Sequence, residues 1–172
     1  MQLGEATKEI GVDLSQATDT EIDLPTGITI FAAQAAEVRA RILIVDDHPN
    51  IGATLARILA GTQPSVKILT ALNGQEALAM IGEGVDVLIV DFLMPDMTGL
   101  ELIERVRALP IRQPARVILI TAHHSPELIE LSRRVKVDDY LIKPVYPKQI
   151  RGLVEDALQE LYPASSSAPA RL

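Results

Sequence analysis

The chain has 172 residues, a formal net charge of −7 and no cysteine, and 48% of its residues are apolar. This length suits one domain with an attached segment, and the lack of cysteine excludes a disulfide framework, thiol catalysis and thiolate zinc sites. No apolar run approaches the roughly 20 residues that span a bilayer, and no secretory signal opens the chain, so we expect a cytoplasmic protein that does not bind the membrane. The acidic surface repels nucleic-acid phosphates, so we also expect no direct binding of nucleic acid.

The charge distribution indicates a boundary near residue 40. Residues 1–40 hold seven acidic and two basic side chains, whereas the remainder is close to balanced. We expect residues 1–40 to be an acidic N-terminal extension, partly ordered or disordered, with a hairpin around Pro25, Thr26 and Gly27 as the alternative for its middle part. Residues 41–162 then form the folded domain, and residues 163–172 a flexible tail.

From residue 41 onward, short aliphatic runs alternate with segments of helical periodicity. The aliphatic runs predict five strands, at residues 41–46, 66–70, 86–91, 116–121 and 139–142. A helical segment follows each run. We expect Gly61 to end the first helix, Asn73 to cap the second with Glu76 completing a capping box, and Pro126 to open the fourth.

Five strand-then-helix units in about 120 residues predict an α/β fold with one parallel sheet. Crossovers between parallel strands place helices on both faces of the sheet, which explains why the predicted strands are apolar throughout. The strands are too few for an eight-stranded barrel. The sequence therefore predicts an open, doubly wound, five-stranded sheet with five helices.

Polar side chains stand where the predicted strands end. Asp46 and Asp47 close the first strand, Asp91 the third and Thr121 the fourth, and Lys143 follows the fifth. Because the carboxyl ends of parallel strands share one edge of the sheet, we expect these side chains to meet in one crevice.

Clustered carboxylates repel one another, and a hard divalent cation relieves that repulsion. Carboxylate oxygens without cysteine or paired histidines suit Mg²⁺ better than Zn²⁺, and we predict Asp46, Asp47 and Asp91 as its ligands. With the ion bound, Asp91 can attack a phosphoryl group, while Lys143 pairs with one phosphoryl oxygen and Thr121 donates a hydrogen bond to another.

These residues carry a family resemblance. The pair Asp46-Asp47, the run VDVLIVDFLMPDMTGLELI around Asp91, Thr121-Ala122, and the run DDYLIKPV around Lys143 resemble the receiver domain of two-component response regulators. The resemblance covers about residues 41–162 and implies a flavodoxin-like sheet of strand order 2-1-3-4-5. It also implies Mg²⁺-dependent phosphorylation of Asp91 by a histidine kinase or a histidine phosphotransfer protein.

The resemblance further implies a switch. Thr121 would move toward the phosphate and Tyr140 would turn inward behind it, which changes the face formed by the fourth helix, fifth strand and fifth helix. That face would bind a downstream protein, and a homodimer is compatible with it. Leu93, Ala122 and His123 are expected to line the access to the phosphate, with Leu93 shielding it from water.

Two alternatives remain open at this point. A pseudo-receiver would bind partners without phosphorylation, although it usually lacks an acid, the threonine or the lysine, all of which are present here. A haloacid-dehalogenase-type phosphatase needs a second acid two residues after its nucleophile, where this chain has Leu93. We therefore expect no enzymatic activity beyond self-phosphorylation and self-dephosphorylation.

Three further points concern the turn before the fifth strand, the histidines and the residues after 162. Lys136-Val137 replaces the Gly-Ala pair common in the family. The three histidines, His48, His123 and His124, are interpreted as exposed loop residues that form no metal site together. The residues after 162 are too few for an output module, which leaves open a stand-alone receiver or a piece of a longer regulator.

Overall fold

The computed structural model describes residues 21–23, 29–31, 38–60 and 65–163, and the chain divides into two compact units, Met1–Glu37 and Val38–Leu172. In the first unit, strand β1 (Glu21–Asp23) pairs antiparallel with β2 (Thr29–Phe31). This pairing agrees with the hairpin alternative. The predicted turn at Pro25, Thr26 and Gly27 lies outside the described residues, as do Gly61 and most of the predicted tail.

Within residues 38–60 and 65–163, the second unit alternates strands and helices. Its strands are β3 (Ala40–Val45), β4 (Val66–Ala71), β5 (Val87–Asp91), β6 (Arg116–Thr121) and β7 (Asp139–Ile142). Its helices are α1 (Pro49–Leu59), α2 (Gly74–Ile81), α3 (Gly99–Ala108), α4 (Pro126–Arg134) and α5 (Pro147–Leu161). The predicted alternation is confirmed.

All strand pairs in the second unit are parallel, and the sheet order is β4-β3-β5-β6-β7. Counted within this unit, that is the order 2-1-3-4-5 expected from the resemblance. The central strand β5 is buried along all five residues, whereas the edge strands β4 and β7 are only partly buried. Central position on the sheet therefore explains the uninterrupted apolar run before Asp91.

Alternate strand residues supply two separate cores, because successive side chains of a strand point to opposite faces of the sheet. One face packs under α1 and α5, and its buried residues include Ile42, Ile44, Ile89, Leu55 and Val154. The other face packs under α2, α3 and α4, and its buried residues include Leu43, Val90, Ile81, Leu102 and Leu128. The sheet is doubly wound, as predicted.

Helix caps follow the sequence signals closely. The Asn73 side chain accepts a hydrogen bond from the Glu76 N–H at 2.8 Å, while the Glu76 carboxylate accepts from the Leu72 N–H at 2.7 Å rather than from Asn73. Ser125 caps α4, and Pro126 occupies its first turn. The capping box predicted at Asn73 therefore closes one residue further back than expected.

Lys136 adopts a left-handed backbone conformation with φ of 61°. Glycine adopts this conformation readily, whereas a residue with a Cβ is unusual there. The Arg107 guanidinium donates to the Lys136 carbonyl at 3.1 Å and to the Pro114 carbonyl at 3.3 Å. These contacts explain how the turn keeps its shape without glycine. Among the described residues, no helix has the length and apolar character needed to cross a membrane.

Candidate functional site

The sheet brings the predicted site residues to one edge. β3 lies beside β5 and β6 lies between β5 and β7, so the residues at their carboxyl ends are neighbours. Asp91 is the last residue of β5 and Thr121 the last of β6. Lys143 follows β7 directly, and its N–H donates to the Thr121 carbonyl at 2.7 Å. The parallel register is therefore what positions Lys143 beside the central strand.

Lys143 joins two buried carboxylates. Its Nζ lies 2.9 Å from Asp91 Oδ1 and 3.5 Å from Asp46 Oδ2. Asp46 and Asp91 are only 2% and 6% exposed. The peptide bond between Lys143 and Pro144 is cis. Two carboxylates thus share one ammonium group in a partly dehydrated pocket.

The pKa values of this cluster reflect the excess of negative charge. Burial raises the pKa of Asp91 above its ordinary value, and the nearby Asp46 carboxylate adds to this rise. Lys143 and the Phe92 N–H offset only part of it. Burial acts to lower the pKa of Lys143, but the two carboxylates outweigh it and raise that pKa. The single positive charge of Lys143 therefore does not fully neutralise the negative charge of the pocket.

Asp46, Asp47 and His48 form a compact group on the loop after β3. Each offers one ligand atom, and these atoms lie within 4.8 Å of one another. His48 Nδ1 is 2.9 Å from Asp47 Oδ1 and 3.7 Å from Asp46 Oδ1. His48 is exposed, as expected, but it belongs to the acidic cluster, which the interpretation as a loop residue missed. Its position directly after two aspartates was the available signal.

The donor set fits a hard divalent cation. Asp46 Oδ2 is buried and accepts no hydrogen bond from the described residues, and Lys143 Nζ lies 3.5 Å from it. A buried carboxylate oxygen without a donor is costly unless a cation approaches it. Asp47 lies beside it, half-buried, and Asp91 shares the same lysine. Carboxylate oxygens at a pocket open to water match the coordination preferences of Mg²⁺.

Thr121 and Tyr140 meet at one backbone carbonyl. Thr121 Oγ1 accepts from the His123 N–H at 3.0 Å and lies 3.2 Å from the His123 carbonyl oxygen, to which it can donate. The Tyr140 hydroxyl donates to the same carbonyl at 2.6 Å. Within the described part of the chain, Thr121 Oγ1 makes no hydrogen bond to the carboxylates. The structure thus places Thr121 at the site edge, bonded to the β6–α4 loop.

The remaining predicted positions lie on exposed loops at the same edge. Leu93 is 52% exposed, and Ala122 and His123 are exposed as well. Gly99 begins α3 at a close approach, because a Cβ there would lie 2.5 Å from the Asp91 carbonyl oxygen. The absence of a side chain at Gly99 therefore lets the loop after Asp91 pass tightly into α3.

Comparisons with known proteins agree with this arrangement. Residues 42–155 match the response regulator receiver domain family. A chemotaxis protein CheY homolog of Campylobacter jejuni is 32% identical over 123 residues, covering 69% of this chain and 92% of the relative. The solved structure of CheY4 of Vibrio cholerae has 31% sequence identity and a TM-score of 0.63, covering 69% of this chain and 98% of that chain.

A third relative is longer. The cyclic di-GMP phosphodiesterase response regulator RpfG of Xanthomonas campestris is 30% identical over 128 residues, which is 74% of this chain but 34% of the relative. The chain thus spans about a third of that protein, and the match concerns the receiver domain.

The chain belongs to the response regulator receiver domain family. It is a receiver of two-component signal transduction, homologous to CheY and to other response regulators. Members of the family bind Mg²⁺ at an acidic pocket and interact with histidine kinases or phosphotransfer proteins and with downstream targets.

Proposed function

We propose that this chain is a phosphorylation-controlled binding module in which Asp91, within a receiver spanning residues 41–162, accepts the phosphoryl group. The observation that carries the proposal is the buried Asp91 carboxylate at the end of the central strand, 2.9 Å from Lys143 Nζ and beside the Asp46 carboxylate. The donor is a phosphohistidine on a histidine kinase or a histidine phosphotransfer protein. Because such donors are charged from ATP inside the cell, the proposal places the chain in the cytoplasm.

The transfer is a displacement at phosphorus. An oxygen of Asp91 forms the new P–O bond while the P–N bond of the donor phosphohistidine breaks, and the released imidazole takes up a proton. Asp91 reacts as the carboxylate, and its pairing with Lys143 fixes the position of the second carboxylate oxygen. The Asp91 carboxylate and the Lys143 ammonium are already neighbours in the structure, so the reaction needs no rearrangement of the strands.

A Mg²⁺ ion held by Asp46, Asp47 and Asp91 supplies neutralisation of the phosphoryl oxygens when it is bound. Lys143 contributes a second positive charge, as an ammonium that can follow the phosphoryl oxygens on a flexible stem. Thr121 donates a hydrogen bond to a third oxygen after its hydroxyl turns away from the His123 carbonyl. Each phosphoryl oxygen then has its own partner.

The same movement of Thr121 supplies the signal. Thr121 and Tyr140 both bond the His123 carbonyl, so withdrawal of the Thr121 hydroxyl changes the contacts that hold the half-buried Tyr140 ring in its present position. The ring then packs inward, because closely packed interiors favour discrete alternative arrangements. Tyr140 lies on β7, and the face formed by α4, β7 and α5 is proposed to bind the downstream protein or a second copy of the chain.

The decisive experiment combines a small phosphodonor with intact-mass measurement. Wild-type chain incubated with acetyl phosphate and Mg²⁺ should gain the mass of one phosphate, and omission of Mg²⁺ should abolish this gain. Asp91→Asn should gain nothing under the same conditions. Asp96→Asn is the matched control, since Asp96 is an exposed acid in the same loop, and it should react like wild type. The absence of an adduct on wild type contradicts the proposal and favours a pseudo-receiver, whereas an adduct on Asp91→Asn contradicts the assignment of Asp91 as the phosphoacceptor.

A further inference from the structure

We propose that His48 is a metal ligand that gives the acidic site a preference for borderline divalent transition metals, such as Co²⁺ and Zn²⁺, over Mg²⁺. The inference rests on the metal site of the proposed function and adds a specificity to it. It would make the occupancy of the site sensitive to the supply of such metals as well as to Mg²⁺.

The geometry brings nitrogen and oxygen ligands together. Asp46, Asp47 and His48 each place one ligand atom within 4.8 Å of the other two. Asp46 is 2% exposed, and its Oδ2 lacks a hydrogen-bond donor among the described residues. The exposed His48 imidazole approaches the other oxygen of this carboxylate, with Nδ1 3.7 Å from Asp46 Oδ1, while Lys143 Nζ lies 3.5 Å from Oδ2.

The local backbone explains why the imidazole faces the carboxylates. His48 is the N-cap residue of α1, a position where Ser, Thr, Asp and Asn side chains usually bond the helix. The His48 side chain makes no such bond, and Pro49 at the start of the helix has no N–H to offer. Instead the His48 N–H donates to Asp46 Oδ1 at 2.9 Å, and Nδ1 lies 2.9 Å from Asp47 Oδ1. Both ends of the residue are thus directed at the acidic pair.

The chemistry of the ligands decides the preference. Mg²⁺ favours carboxylate, carbonyl and water oxygens, whereas imidazole nitrogen suits Co²⁺, Zn²⁺ and other ions later in the first transition series. The His48 side chain is 67% exposed, so it can leave the site when Mg²⁺ takes water in its place. Two carboxylates and one imidazole then favour a transition metal without excluding Mg²⁺.

The composition of the chain makes this preference measurable. It has three histidines and no cysteine, so nitrogen and sulfur ligands are few. Binding of Mg²⁺, Co²⁺ and Zn²⁺ is measured by calorimetry, Co²⁺ also by its visible absorption, and the imidazole nitrogens are followed by ¹⁵N NMR during Zn²⁺ titration. The test variant is His48→Asn, because asparagine is a good N-cap and offers an oxygen instead of a nitrogen. His124→Ala is the matched control.

We expect His48→Asn to weaken Co²⁺ and Zn²⁺ binding by roughly tenfold or more and to change Mg²⁺ binding by less than about twofold. His124→Ala should match wild type, and Zn²⁺ should shift the His48 nitrogen resonances in wild type. Unchanged Co²⁺ and Zn²⁺ affinity in His48→Asn, an equal loss for all three ions, or silent His48 resonances overturns the inference. The resonances decide the matter if the variant fails to fold.

Asp46→Asn separates this inference from the proposed function. If that variant loses Mg²⁺ binding while His48→Asn behaves like wild type toward all ions, the acidic site stands and only the role of His48 fails. If Asp46→Asn binds Mg²⁺ as tightly as wild type, the proposed metal site itself is wrong.

Discussion

The two ends of the central sheet each bury an aspartate, but they treat it differently. At the amino end, Asp86 precedes β5 and is 3% exposed. Its carboxylate accepts hydrogen bonds from Arg112 at 2.6 Å, from the Tyr162 hydroxyl at 3.2 Å and from the Arg41 N–H at 2.8 Å. At the carboxyl end, Asp46 keeps an oxygen without a donor, and it shares Lys143 with Asp91.

The difference separates a stabilising carboxylate from those that the proposed function makes reactive. The fully bonded Asp86 ties together the start of β3, the start of β5 and the end of α5, and nothing is left for a ligand to satisfy. The acids at the carboxyl end have too few partners, which costs folding stability and is what the proposed binding of a cation and a phosphoryl group would relieve. Burial alone therefore does not identify a functional acid in this fold, whereas missing partners do.

The first prediction tests this contrast through stability. Asp86→Asn should lower the free energy of unfolding by about 2–4 kcal/mol, because a charged acceptor of three hydrogen bonds becomes a neutral one whose amide faces Arg112. Asp91→Asn should change it by less than about 1 kcal/mol, because the substitution also removes the repulsion with Asp46. Urea denaturation of the two variants at neutral pH measures both values.

The same substitution at two buried aspartates provides the internal control. Similar losses at both positions would mean that the carboxyl-end acids stabilise the fold as Asp86 does, and the contrast between the two ends would disappear.

The second prediction concerns the open side of the reactive end. Leu93 is 52% exposed beside the proposed phosphorylation site, and an apolar side chain there limits the approach of water to the acyl phosphate. Leu93→Asn should shorten the lifetime of the phosphorylated chain by about three- to tenfold. The decay of the phosphate adduct after removal of the donor gives this lifetime.

Leu109→Asn is a suitable control, since Leu109 is an exposed leucine at the far end of α3. Equal lifetimes for wild type and Leu93→Asn would defeat the shielding role and leave the reactive end open to water.

The contrast also explains what the sequence could predict. The strand ends carrying Asp46, Asp91, Thr121 and Lys143 are visible because apolar runs stop there, and parallel strands bring such stops to one edge. The role of Asp86 is hidden, because its partners Arg112 and Tyr162 lie 26 and 76 residues away. Long-range partners of this kind follow from the packing of the finished fold and leave no local pattern.

Two smaller features of the structure could not be predicted from the sequence for a related reason. The His123 carbonyl that joins Thr121 to Tyr140 is a backbone group, and residue types do not show where a backbone oxygen points. The left-handed turn at Lys136 persists without glycine because Arg107, far away in the chain, holds its carbonyl. In both cases the sequence shows the element but not the contact that shapes it.

The third prediction concerns the hydrogen bond from the Tyr140 hydroxyl to the His123 carbonyl. Tyr140→Phe removes the hydrogen bond to His123 and keeps the ring, so the free energy of unfolding should fall by about 0.5–1 kcal/mol. Hydrogen exchange of amides in the loop at residues 122–124 should become faster, because one anchor of the loop is lost. Tyr146→Phe, at a 61% exposed tyrosine, is the control and should change neither quantity. Unchanged exchange in Tyr140→Phe would show that the hydroxyl does not hold the loop.

The smallest effect is expected at Glu101, an exposed acid whose pKa shift has the opposite sign to that of Asp91. Hydrogen bonds from the Thr98 N–H and hydroxyl hold the pKa of Glu101 below its usual value of 4.5.

A lowered pKa means that the ionised carboxylate stabilises the fold at pH values above the pKa of the unfolded chain. This contribution is lost as the pH falls through the pKa of the folded chain. Glu101→Gln should therefore lower the urea midpoint slightly at about pH 7, and this deficit should shrink as the pH falls through the folded pKa of Glu101. Glu104→Gln, on the same helix, should match wild type across the same pH range. If the urea midpoint of Glu101→Gln stays below that of wild type in acid, the shape of the Glu101 side chain rather than its charge stabilises this cap. The pKa shift of Glu101 would then not be linked to folding stability.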